Sequence, residues 1–311
     1  MIGLTMKHLR YFDALRRFGH FGRAADACAV SQPALSVQIK ELENMVGSPL
    51  VERGGRSIQL TTIGAQFAEK AQAILQSVDE LGDLVRASQG PLAGPLKIGV
   101  IPTVAPYLLP EIIKTLTARF PTLEPQPREA VTGSLLQDLH DAKLDAAIIA
   151  LPVSEPSLRE FALFEEDFIF VRHTDDAHLP VPNAETLGEM RLLLLEEGHC
   201  FRDQALSFCS LPSTPRNLME GSSLSTLVQM VGAGIGVTLI PEMALSLETR
   251  SADVDIVRFP APAPSRTIGM VWRKSSPLSN DLMQIGAIVR SVGQKALQNK
   301  AMRPNITATG L

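Results

Sequence analysis

The chain has 311 residues, 45% hydrophobic and 20% charged, with a formal net charge of −4. That is ordinary globular composition at a length that supports two or three cores. Three cysteines exclude a disulfide scaffold, and the absence of any run of about eighteen apolar residues, or of an apolar stretch in Met1–Arg10, argues against a membrane span or secretory leader. A cytoplasmic setting is expected, in which a disulfide is transient and regulatory or catalytic. The charge is uneven: residues 1–60 carry eight Lys and Arg against five Asp and Glu, the remainder 21 against 28. A mildly basic front on an acidic body points to a nucleic-acid-binding end.

Residues 6–60 read as short helices. Leu9, Phe12 and Leu15 start one, and Phe21–Cys28 forms a compact, alanine-rich second. Ser31 is placed to cap a third, with Pro33 in its first turn. That helix, to about Asn44, buries Leu35, Ile39 and Leu42 and leaves Ser31, Gln32, Ser36, Gln38 and Lys40 polar. This is a helix-turn-helix pattern whose polar face suits phosphates and base edges in a major groove, with Arg23, Pro33, Arg53 and Arg56 counted in the candidate DNA surface and Glu52–Ser57 as a basic wing. A small helical subdomain with a solvated face fits the pattern equally well. Residues 61–90 repeat apolar side chains at Phe67, Ala71, Ile74, Val78, Leu81 and Val85, a heptad seam that predicts self-association, with packing on a domain surface as the competing explanation.

Gly90–Pro95 marks a boundary. Beyond it β-like runs at 96–101, 124–131, 146–151, 168–171, 191–196, 237–240, 256–259 and 267–272 alternate with helical stretches, including 106–119, 133–142 and 278–298, which is an α/β body. Residues 299–311 lack periodicity and are predicted disordered. Gly232–Gly236 follows a helical stretch and precedes a strand, the reverse of dinucleotide-binding order, and reads as a helix end and turn.

Cys200 and Cys209 have eight residues between them, with Cys28 the remaining thiol and read as a small buried hydrophobe. A disulfide needs Cα atoms about 4.4–6.8 Å apart, whereas nine helical steps cover roughly 13 Å and nine strand steps about 30 Å. Bonding these sulfurs therefore requires the segment to abandon its fold. Phe201, Ala205, Phe208 and Cys209 recur at helical spacing, so there is a fold to lose. His199 and Arg202 flank Cys200 and can favour its nucleophilic thiolate.

Arg23-Ala24-Ala25, Val30–Ser36, Gln38-Ile39, Leu42-Glu43 and Pro49–Arg53 resemble the LysR-type transcriptional regulators, and Pro102–Pro110, Leu144-Asp145, Gly198–Gln204 and Arg266–Gly269 extend the likeness over nearly the whole chain to a peroxide-sensing branch of that family. The resemblance implies an N-terminal all-α winged helix-turn-helix domain (1–60), a linker helix (61–90) and an α/β regulatory domain (91–298) of two subdomains, like a periplasmic binding protein. Subdomain I would be about 91–164 with 268–298, and subdomain II about 165–267. It further implies a homotetramer on double-stranded operator DNA, with Cys200 attacking hydrogen peroxide and Cys209 resolving the sulfenic acid. Thr103, Thr132, His199, Arg202, Asp203 and Arg266 would complete the peroxide pocket, Arg266 favouring negative charge there. Val37 in the reading helix, Gly54-Gly55 in the wing, and Pro212 and Pro215 in the stretch Ser210–Gly221 depart from the family pattern. A second reading keeps the DNA-binding fold but makes a small organic anion between the subdomains the effector. A third, a thiol peroxidase or disulfide reductase, lacks a Cys-x-x-Cys pair, and no cofactor or metal is assigned.

Overall fold

The computed structural model of the protein describes residues 3–52, 58–88, 92–208 and 219–301. The chain divides into two compact units, Met1–Val85 and Arg86–Leu311.

In the first unit, α1 (Met6–Phe18), α2 (Phe21–Ala27) and α3 (Gln32–Val46) precede a two-stranded antiparallel ribbon, β1 (Val51–Glu52) with β2 (Gln59–Leu60), and the long helix α4 (Thr62–Ser88). Local signals set each start: Thr5 accepts from His8 N, His20 from Gly22 N, and Ser31 from Ala34 N. Gly19 and Gly47 take left-handed conformations that close α1 and α3. The third helix ends at Val46 rather than Asn44. Phe12, Leu15, Ala24, Ala25, Leu35, Ile39, Leu42 and Leu50 form the core, and Glu43 accepts from the amides of Leu50 (2.8 Å) and Val51 (3.2 Å), tying α3 to the ribbon. Cys28 is half-buried against this core, and burial pushes its thiol above the usual range.

Along the seam on α4, Phe67 meets Phe12 edge-on at 5.4 Å within its own unit and Ala71 is buried, whereas Ile74 and Leu81 are exposed on the single chain.

The second unit is a continuous nine-stranded mixed sheet. In chain order its elements are β3 (Gly94–Val100), α5 (Ala105–Arg119), β4 (Leu123–Glu129), α6 (Thr132–His140), β5 (Ala146–Leu151), β6 (Leu158–His173), α7 (Ala184–Glu189), β7 (Leu192–Leu195), α8 (Cys200–Phe208), β8 (Met219–Gly221), α9 (Leu224–Gly232), β9 (Val237–Pro241), α10 (Leu245–Glu248), β10 (Val254–Arg258), β11 (Ser265–Arg273) and α11 (Ser279–Ala301). The sheet runs β4-β3-β5-β11-β6-β9-β7-β8, with β10 also on β6. Parallel pairs at the two ends are joined by antiparallel pairing of β6 and β11 in the middle.

Two separate cores follow. One joins β3, β5, β11 and the start of β6 to α5, α6 and α11, and the other joins the end of β6, β7 and β9 to α8 and α9. The crossover on β6 falls between Phe164, in the first core, and Phe168, in the second. Between the two cores, the Tyr107 hydroxyl donates to Glu248 at 2.6 Å, and Ser225 donates to the other oxygen of the same carboxylate. The sequence reading found only the end of β6, because residues 158–167 mix charged and apolar side chains without a clean period. Gly232–Gly236 makes a helix end and turn, with Gly234 at φ +74°. The predicted disordered tail starts too early: residues 299–301 are the last turn of α11, and 302–311 lie outside the described residues.

Gly64 lets α4 lie against the ribbon, since a Cβ there would collide with the Leu50 carbonyl. Gly64→Ala is expected to destabilise the first unit by about 2 kcal/mol, read as a lower thermal unfolding midpoint with the second unit unchanged.

Candidate redox site and nucleic-acid interface

Residues 196–200 turn from β7 into α8, with Gly198 at φ +95°, a backbone that favours glycine, so that Cys200 becomes the first residue of the helix. There the backbone amides lack intrahelical partners and concentrate partial positive charge. The helix is seated by Phe201, Ala205 and Leu206, all buried in the second core. Phe201 packs edge-on against Phe168 at 4.8 Å, and its ring lies 5.1 Å from the Arg266 guanidinium.

Cys200, His199, Thr103 and Thr132 line one pocket together with Ile101, Pro102, Val131 and Phe201. Four positions scattered over a hundred residues are thus brought together by the loops at the carboxyl ends of β3, β4 and β7. The pocket is tight, leaving no room for a water-sized sphere. Val131, not Thr132, sits at the cap position of α6, and the Thr132 hydroxyl is buried without a hydrogen-bond partner. Burial lowers the His199 imidazole below its ordinary value, with Glu196 pulling the other way, so the ring is neutral at pH 7. It offers one donor and one acceptor nitrogen rather than a positive charge.

Arg266 is not on the pocket wall but behind it. It donates to the Thr103 hydroxyl oxygen (2.8 Å) and carbonyl (3.1 Å), and twice to Glu166 Oε1 (2.9 and 2.7 Å). Arg266 and Glu166 are direct partners across β11 and β6, and both side chains are fully buried. Burial pushes the Glu166 carboxyl up, against the pull of Arg266 and of the Met243 amide. Because Arg266 fills a lone pair of Thr103 Oγ1, that hydroxyl keeps its own proton to donate. Glu166 escaped the sequence reading; only strand register could have found it.

Arg202 is also turned away. It is buried and pairs with Glu220 and the Leu195 carbonyl, so its charge is spent holding α8 to β7 and β8 instead of facing Cys200. Asp203 is exposed in the first turn of α8, outside the pocket. Cys209 lies outside the described residues.

In the first unit, Gln32, Pro33, Val37 and Lys40 are exposed on α3, and Ser36 and Gln38 are half-buried. Ser31 is occupied as the cap, Gln38 donates to Glu41 at 2.9 Å, and Arg23 donates to the Phe18 carbonyl at 2.8 Å. Arg53 and Arg56 lie outside the described residues.

Arg266→Met strands a buried carboxylate and is expected to cost about 3–5 kcal/mol at neutral pH. The loss should shrink as pH falls, because Glu166 then takes up a proton in the folded state that the unfolded chain does not hold. His199 gives the opposite sign. Below its ordinary value of 6.5 the unfolded ring protonates while the folded one resists, so thermal unfolding of the wild type between pH 7 and pH 5 should lose stability that His199→Gln keeps.

Residues 6–65 match the family of bacterial regulatory helix-turn-helix proteins of the lysR type, and residues 89–293 match the LysR substrate binding domain. The chain is 40% identical over 292 residues to the DNA-binding transcriptional dual regulator OxyR of Escherichia coli (strain K12), covering 93% of this chain and 95% of that one. Among solved structures it is similar to full-length Pseudomonas aeruginosa OxyR with a cysteine-to-aspartate substitution (TM-score 0.68, 36% identity, 93% and 96% covered). It is also similar to a hydrogen-peroxide-bound cysteine-to-serine mutant of Corynebacterium glutamicum OxyR (TM-score 0.66, 33% identity, 96% and 95% covered). A winged helix-turn-helix unit, a two-core α/β unit and this likeness along nearly the full length have one conclusion: the chain belongs to the LysR family of bacterial regulators, among the proteins similar to OxyR.

Proposed function

We propose that this protein is a hydrogen-peroxide-responsive, DNA-binding transcriptional regulator, working as a homotetramer, in which Cys200 is the primary target of the oxidant and Cys209 its resolving partner. The observation that carries the reading is the convergence of Cys200, His199, Thr103 and Thr132 on one small pocket at the start of a helix. The Cys200 thiolate attacks one peroxide oxygen and the O–O bond breaks. The departing hydroxide takes a proton, relayed by neutral His199, and leaves as water. Thr103 donates to the peroxide, and Thr132 supplies a buried hydroxyl with no competing partner. The sulfenic acid then condenses with the Cys209 thiol, releasing a second water and forming the S–S bond.

With Cys200–Phe208 helical, that bond cannot close until α8 opens. Opening withdraws Phe201 and Leu206 from the second core, at a cost of about 1.5–3 kcal/mol for each large side chain exposed. Oxidation is thereby converted into a change of shape in the regulatory unit, which shifts the DNA heads through the oligomer. An organic anion as effector has less support, since sites for such ligands enclose about 300–1,000 Å³ and the space at Cys200 is smaller.

Cys200→Ser is expected to abolish the peroxide-dependent change in DNA footprint while leaving binding of the reduced protein intact; an undiminished response would refute the assignment. Mass spectrometry of the thiols after brief exposure to low peroxide should find Cys200 and Cys209 joined and Cys28 unmodified.

A further inference from the structure

The outward face of α3 contains one residue that neither packing nor folding explains. Val37 is 63% exposed. At about 100° per residue it lies roughly 165° round the helix from the buried Leu35, Ile39 and Leu42, so it occupies the middle of the face turned to solvent. Pro33, one turn earlier, and Ala34 are exposed with it, making a short apolar patch bordered by Lys40 on one side and Glu41 on the other. A β-branched side chain here contributes nothing to the core and is a weaker helix former than alanine. The polar neighbour best suited to reading a base edge, Gln38, has its amide nitrogen on Glu41.

We infer that Val37 is a specificity-determining residue that reads the C5-methyl group of a thymine in the operator major groove. The inference rests on the DNA-binding reading above. In a major groove each base pair shows a different edge, and the one apolar feature among them is the thymine methyl, which apolar side chains contact. The sixth residue of a reading helix, at the centre of its outward face, meets base edges rather than phosphates. An apolar side chain there has no hydrogen bond to offer a guanine or cytosine edge, and it leaves the guanine acceptors and the cytosine amino donor without water or protein partners. Lys40, one turn after Val37 and exposed beside it, supplies a phosphate contact that sets register.

The test uses the full-length reduced protein and duplex DNA selected by it from a random library, with each thymine of the selected site replaced in turn by uracil, which removes only the methyl group. At one thymine per half-site, uracil should weaken wild-type binding about fourfold, the worth of one buried methyl-sized group. Val37→Ser should bind the thymine and uracil duplexes equally, at the level of wild type on uracil, and Val37→Thr, which keeps a methyl, should retain part of the discrimination. Absence of any uracil-sensitive position in wild type, or discrimination that survives in Val37→Ser, overturns the inference while leaving DNA binding standing. Failure of the wild type to select any sequence would defeat the DNA-binding reading itself, and this one with it. If Val37→Ser binds no DNA, Val37→Asn, which likewise presents no methyl group, takes its place under the same criteria.

Discussion

The buried pairing of Arg266 with Glu166 is the constraint on which the regulatory unit turns. The chain crosses between its two cores on β6 and returns on β11, and these residues face each other where the two strands meet the crossing. A guanidinium in such a place is tolerated only with its charge answered and its N–H groups engaged. Glu166 answers the charge and Thr103 takes two of the hydrogen bonds. Through Thr103 the hinge is joined to the pocket wall, and through the Met243 amide, which donates to Glu166 Oε2 at 3.1 Å, it is joined to the turn that follows β9. Cys200 thus sits between two sets of elements. Loops from β3 and β4 hold Thr103 and Thr132 on one side, while Cys200 and His199 ride on the start of α8.

That division explains why α8 is fastened as it is. Phe201 is the deepest of its anchors, wedged between Phe168 and the Arg266 guanidinium. Arg202, next in sequence, is bound to Glu220 and to the end of β7. Two successive residues therefore lock the helix to two different neighbours, immediately after Cys200. In the proposed switch the reduced state keeps these contacts and the oxidised state does without them, so their strength would set how reducible the proposed disulfide is: about 30 mV for every 1.4 kcal/mol.

Much of this could be read from residue order. Ser31 as a cap, the buried triad Leu35, Ile39 and Leu42, and the helical spacing of Phe201 and Ala205 are local patterns, and local patterns survive folding. What escaped was set by distant pairing. Arg202 and Asp203 are neighbours of Cys200 in the chain, yet Arg202 points about 200° round the helix to Glu220 and the Leu195 carbonyl, and Asp203 is exposed to solvent, so neither lines its pocket. Glu166 gave no signal because its partner is a hundred residues away and becomes one only through the register of two strands. On α4, Phe67 repeats at the spacing of a dimer contact but packs on Phe12 of its own unit.

The third thiol has a part in this chemistry through its inertness. Cys28 sits half inside the helical core, where the low-polarity surroundings keep its proton on. A protonated sulfur is a slow nucleophile. A regulator that reports oxidant is best served when its DNA-reading unit does not consume the same molecule, and a thiol half sunk in the helical core, with its proton held by burial, leaves the proposed signal chemistry to the other unit.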